Sequence, residues 1–111
     1  LRTDVLGRAQ LLTQIRYDLR AAKRNLDTAE RQVYAAARSR DLAERSLEVE
    51  ARKFLNGLSD NFKVALQQAA LDSARLAELN ALIAHEKARS SLLQATGELL
   101  EARQLRFEVR G

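Results

Sequence analysis

Histidine, cysteine and paired carboxylates build most active sites, and this chain offers few of them in useful combinations. His85 is the only histidine, and there is no cysteine. Without a second imidazole or a thiolate, a zinc site lacks ligands, and disulfide and thiol chemistry are excluded. His85 falls in a row of apolar residues at helical spacing, where a packed or partly exposed imidazole is expected rather than a ligand. The chain has 15 Asp and Glu residues. They have basic residues nearby at helical spacing and read as surface ion pairs, not as an acid and a base flanking a substrate. Ser90-Ser91 has no partner that would activate a hydroxyl. Gly57 stands alone and cannot form a phosphate-binding loop. The sequence therefore predicts no enzymatic activity, no cofactor and no metal.

Basic residues are the other possible source of function. The net charge is +4 and the isoelectric point about 10.0. Residues 1–57 hold 12 Lys+Arg against 8 Asp+Glu, whereas residues 58–111 hold 7 of each. Arg24, Arg31, Arg38, Arg45 and Arg52 recur at seven-residue intervals. Acids one turn earlier (Asp27, Asp41, Glu48) supply i,i+4 partners worth a few tenths of a kcal/mol, about 0.3, each. Glu30, Glu44 and Glu48 interrupt the stripe, aromatics make up only 5% of the chain, and no recognition motif is present. A solvated helix face is expected, not a nucleic-acid interface.

The elements that carry these residues are long helices. The composition is rich in Ala, Leu, Arg, Glu and Gln, 46% apolar and 31% charged, as in coiled coils. Proline is absent, and Gly7, Gly57, Gly97 and Gly111 are the only glycines. Asn56-Gly57 is the one strong turn signal between two periodic segments: both residues tolerate the left-handed backbone that ends a helix, and Ser59 or Asp60 can cap the next. The expected fold is all-α, an antiparallel helical hairpin of coiled-coil type. Arm one is expected over about residues 8–55, the turn over 56–59 and arm two over about 60–96, with arms about 75 Å long at about 1.5 Å per residue.

Apolar residues on arm one alternate spacings of three and four: Leu12, Ile15, Leu19, Ala22, Leu26, Ala29, Val33, Ala36, Ala43, Leu47 and Phe54. Arg40 and Glu50 break this seam. Alanine at alternate positions lets a partner helix approach closely. A second row (Ala21, Asn25, Thr28, Gln32, Ala35, Ser39, Leu42, Ser46, Val49) has the small or mildly polar character of a second helix contact.

Arm two carries two seams. One runs Leu58, Phe62, Ala65, Ala69, Leu76, Leu79, Ile83, Leu93 and Leu100; the other runs Val64, Leu71, Ala74, Ala81, Ala88, Leu92, Ala95 and Leu99. They lie on nearly opposite edges, about 155° apart on a helical wheel. A helix apolar on two edges has a neighbour on each side, so the hairpin reads as a stave of an α-helical barrel and is expected to self-associate. Val64, Leu71 and Leu92 on arm two, with Leu42 and Val49 on arm one, are the residues expected to face other copies.

The ends are less determinate. Ala95-Thr96-Gly97 can stop a helix, and Leu105, Phe107 and Val109 alternate with charged residues at strand period, so residues 97–111 admit a helical, extended or frayed form, as do residues 1–8 around Gly7. No methionine is present, so Leu1 is not expected to be a natural start and the chain reads as a segment of something longer. Neither a signal peptide nor a membrane-spanning helix is expected: no run approaches about 18 apolar residues.

The turn and the helix after it resemble the outer-membrane efflux protein family, the TolC-like channels. Members carry helical hairpin repeats whose turns read aromatic-x-x-Gly-Leu-Ser, followed by a Val and a Gln-containing helix with spaced Ala and Leu, and often a closing Ala-x-Gly. The matching residues are Phe54, Asn56, Gly57, Leu58, Ser59, Asn61, Phe62, Val64 and Gln68, then Leu71, Ala74, Ala81 and Leu82, and finally Ala95-Thr96-Gly97-Glu98-Leu99-Leu100. Upstream, Leu42-Ala43-Glu44 and Leu47 through Arg52 look like the descending helix. The resemblance covers about residues 35–100.

The resemblance implies a periplasmic tunnel hairpin of a trimeric outer-membrane channel for efflux or type I secretion in a Gram-negative cell. Membrane contact would come only through parts outside this chain. It also implies that Phe54, Asn56, Gly57, Leu58, Ser59, Asn61 and Phe62 form a tip that docks a periplasmic adaptor protein. Lys63 stands where many members have an acid, Leu66 where some have a second, and Ala65-Leu66-Gln67-Gln68 replaces the commoner Leu-x-Ala-Gln, so an acidic tunnel constriction is not carried over. Two alternatives remain: the α-hairpin of the adaptor itself, and a structural coiled coil with no transport role.

Overall fold

The computed structural model describes the backbone of residues 2–110 and the side chains of residues 4–104. Two helices account for nearly all of it, α1 (Arg2–Leu55) and α2 (Asn61–Arg110), and no strand occurs among the described residues. The fold is an all-α antiparallel hairpin. Asp4 lies in the first turn of α1, and Arg52 and Lys53 in its last, where each sign of charge complements the helix dipole.

The helices run further than the sequence punctuation suggests. α1 begins at Arg2 rather than near residue 8 and passes through Gly7; α2 continues from Asn61 through Gly97 to Arg110 instead of ending near residue 96. A glycine inside a helix costs about 1 kcal/mol relative to alanine, too little to stop helices flanked by Leu, Arg, Gln and Glu. The strand-period alternation at Leu105, Phe107 and Val109 lies within the α2 backbone, and too few residues carry it to outweigh helix propagation.

The chain forms two compact units. One comprises Ala29–His85 and carries the turn; the other comprises the segments up to Thr28 and from Glu86. In the turn unit, α1 covers Ala29, Val33, Ala36, Arg40, Ala43, Leu47 and Glu50, which is the seam read from the sequence. Against it lie Val64, Gln67, Leu71, Ala74, Glu78, Ala81 and His85 of α2, with Leu71 the most covered at 3% exposure. The other unit repeats the scheme: Leu12, Ile15, Leu19, Ala22 and Leu26 of α1, and Ala88, Leu92, Ala95, Leu99 and Ala102 of α2, are covered. No described side chain is completely enclosed. Two helices bury one seam each, and nothing roofs it.

This arrangement corrects one expectation. Val64, Leu71 and Leu92 are inside the hairpin, and the other apolar edge of α2 faces outward: Leu58, Phe62, Leu76, Leu79, Ile83, Leu93 and Leu100 are between 46% and 75% exposed. On α1, Leu42 and Val49 are exposed as read, at 66% and 50%, while Phe54, assigned to the seam, is 40% exposed. The polar interruptions of the two facing seams lie opposite one another. Arg40 on the α1 seam meets Glu78 on the inner edge of α2, with Nε to Oε2 at 2.8 Å. His85, on that same edge, sits 3.8 Å from Glu30 of α1.

Candidate functional site

The site begins with how α1 ends. Gly57 adopts φ of 74° and is the only described residue with positive φ. Its N–H donates to the Phe54 carbonyl at 3.1 Å, and the Leu58 N–H donates to the Lys53 carbonyl at 2.8 Å. These are the paired bonds of a Schellman motif, with Gly57 as the left-handed residue. The Asn56 N–H is shared between the carbonyls of Arg52 and Lys53, at 3.1 and 3.2 Å. A Cβ built on Gly57 would meet nothing within 4 Å. Glycine is therefore required here by the turn conformation and not by close packing within the chain.

α2 starts with an equally definite signal. Asp60 is the N-cap: its Oδ1 accepts the Lys63 N–H at 2.8 Å, and its carbonyl accepts the first helical bond from Val64 at 3.2 Å. Ser59 does not cap. Its hydroxyl donates to Glu50 Oε1 of α1 at 2.5 Å, so the Glu50 break in the α1 seam ties the turn back onto the helix that precedes it.

These bonds use backbone atoms and the Asp60, Ser59 and Glu50 side chains, and none of the apolar side chains of the turn. A Schellman motif usually packs the residue after the glycine against the third from the helix end. Here those residues are Leu58 and Lys53, and Leu58 is 75% exposed. Leu55 and Phe62 are 82% and 71% exposed. Of the residues assigned to the tip from the sequence, Phe54, Asn56, Gly57, Leu58, Asn61 and Phe62 are all exposed, and Ser59 is half-buried. Leu55 joins them. It is absent from the turn motif, but its place off the α1 seam at the last helical position is a signal for it.

The charges around the tip are not balanced in their availability. Arg52 pairs with Glu48 at 2.6 Å, Glu50 is engaged by Ser59, and Asp60 caps α2. The Lys53 and Lys63 side chains are exposed and make no hydrogen bond or ion pair among the described residues.

Further from the tip, Arg40 is the centre of a small charged layer. It donates to Glu78 across the hairpin and to Glu44 one turn on, at 2.8 and 3.0 Å, and Arg75 lies 3.9 Å from Glu44. The hydrogen bond to Glu78, then that to Glu44, raises the Arg40 pKa above its ordinary value. A charged layer in an apolar seam costs some stability but fixes register, as polar seam residues do in coiled coils. The arginine stripe lies on the solvent side, where Arg45 meets Asp41 at 3.1 Å and Arg38 stacks over Tyr34 at 5.6 Å.

In the other unit, Asp18, Asn25, Ser91, Gln94 and Glu98, with Ala21, Ala22 and Ala95, line a groove of about 250 Å³. Among the described residues, no group of three His, Asp or Glu side chains is placed to hold a metal, and no helix is long and apolar enough to cross a membrane. No family model matches this chain, and neither a curated protein nor a solved structure matches it.

Proposed function

We propose that this chain is a periplasmic tunnel hairpin of a trimeric outer-membrane channel for efflux or type I secretion, with its turn docking a periplasmic adaptor protein. The observation that carries the reading is the exposed apolar tip, with Leu55, Leu58 and Phe62 all more than 70% exposed on a turn whose hydrogen bonds use none of their side chains. Exposed leucine and phenylalanine clustered on a rigid reversal mark a contact surface, and Phe54, Gly57, Leu58 and Ser59 carry the resemblance to the channel family. The outward edge of α2 supports the same reading, because a hairpin with an unpartnered apolar seam suits a wall of neighbouring hairpins. At about 25 cal/mol per Å² of apolar area removed from water, covering that edge favours self-association.

The test is Gly57→Val in the full-length channel, scored for efflux, trimer abundance and adaptor cross-linking. A β-branched residue at this φ costs about 1–2 kcal/mol locally, which a trimeric assembly withstands, whereas docking onto the turn backbone is obstructed. Reduced efflux and cross-linking at normal trimer abundance is the expected result. Normal efflux together with normal cross-linking would leave Gly57 a turn residue only. Flanking sequence discriminates the adaptor alternative, since a lipoyl-like β-domain beside the hairpin would replace the channel reading.

A further inference from the structure

The apolar tip has a charge signature that the turn motif does not carry. Two carboxylates lie at the reversal, and both are occupied: Glu50 accepts from Ser59, and Asp60 accepts the Lys63 N–H. Arg52 is held by Glu48. The remaining charges, Lys53 on the last turn of α1 and Lys63 on the first turn of α2, are exposed, with no ion-pair partner among the described residues. The tip therefore presents exposed Leu55, Leu58 and Phe62 with a lysine on either side in the sequence that has no ion-pair partner among the described residues, while each of its two carboxylates accepts a hydrogen bond within the turn.

From this we infer that the tip recognises a protein surface of matching chemistry, an apolar recess rimmed by Asp or Glu carboxylates. The inference rests on the docking reading above and specifies the partner's charge. Carboxylates at the rim would steer the encounter and fix its orientation, while the leucine and phenylalanine side chains supply the buried area. An anionic membrane is the competing occupant and is less well matched. Electrostatic attachment to lipid uses clusters of about four to eight basic residues, and this tip has two. The exposed Asn56 and Asn61 side chains would also be desolvated on entering the acyl boundary, whereas a protein partner can hydrogen-bond to them.

The experiment places a photoreactive phenylalanine analogue at position 55 of the full-length protein in its native cells, leaving Leu58, Phe62 and both lysines intact. Cross-linked protein is identified by mass spectrometry, and the attachment site is mapped. Yield is then compared for the natural lysines, for Lys53→Arg/Lys63→Arg and for Lys53→Glu/Lys63→Glu, with circular dichroism confirming that each hairpin folds. The expected result is attachment beside Asp or Glu of the partner, full yield with arginines, and about a tenfold loss with glutamates, the scale of two rim charge pairs removed and reversed. The same purified variants are sedimented with vesicles of anionic and zwitterionic phospholipid. Unchanged yield in the glutamate variant, or attachment in a basic segment, overturns the acidic-rim inference while leaving docking intact. Vesicle binding lost with the glutamate variant overturns it in favour of a membrane. No cross-linked protein from position 55 overturns both the inference and the proposed function.

Discussion

Replacing Leu71 with alanine should destabilise the hairpin far more than the same change at Leu76, although both are leucines on apolar edges of one helix. Leu71 is 3% exposed on the inner edge, and Leu76 is 58% exposed on the outer. Truncation to alanine removes three carbon-equivalents, at about 0.8 kcal/mol each when fully buried. That gives a loss of about 2.4 kcal/mol at Leu71, near the low end for leucine truncations because an unroofed seam can relax. Scaled by the covered fraction, Leu76 loses at most about 1 kcal/mol, part of it returned by alanine's helix propensity. Urea unfolding followed by far-ultraviolet circular dichroism measures both, at low and at high protein concentration. If copies associate through the outer edge, the Leu76 penalty grows with concentration and the Leu71 penalty does not. A Leu76 loss at low concentration equal to that of Leu71 would refute the assignment of inner and outer edges.

Gly97→Ala should raise stability by about 0.5–1 kcal/mol, because Gly97 is inside α2 and an added Cβ meets nothing within 4 Å; Gly57→Ala, in equally open space but at φ of 74°, should lower it by about 1–2 kcal/mol. Thermal melts of the two variants check the opposite signs. Asp60→Ala removes the α2 cap and should cost about 1 kcal/mol in the same melts, with Asp60→Asn recovering most of it. Arg40→Glu should lower the unfolding midpoint by placing a third acid beside Glu44 and Glu78, and adding Glu78→Arg should restore it; a double-mutant cycle without coupling would remove the cross-hairpin role of the pair.

Much of this fold could be read from the chain because its signals are local and repeat. The seam from Leu12 to Glu50 is covered as its spacing implied, and the reversal falls at Asn56-Gly57, since few residues other than glycine accept that backbone. What periodicity could not decide was which of two apolar edges on α2 turns inward. Both are leucine- and alanine-bearing at the same spacing, and what distinguishes them is how each matches the facing seam of α1, as Arg40 matches Glu78. Such matches depend on the relative height of the two helices, which is settled only once the turn is built. Gly7 and Gly97 left the two ends open for the opposite reason, because their local preference is overridden by long helix on either side. At the tip, the exposure of Leu58 and Phe62 follows from a turn that completes its bonds with backbone and one aspartate. Leu55 escaped notice because it belongs to no motif.

The two apolar edges of α2 repeat every seven residues in a common register, and the α1 seam shares that repeat. This constrains how such a hairpin can change in length. Adding one or two residues to α2 would rotate both edges by about 100° or more beyond the insertion, and adding three or four would leave both about 40–60° out of phase and separate the charged pairs. Seven residues added to α2 bring both edges back into phase, provided α1 gains seven at the same height so that Arg40 still meets Glu78. Each such step moves the turn outward by about 10 Å without altering a contact on either side. Length in this architecture is thus counted in whole repeats, taken on both arms together.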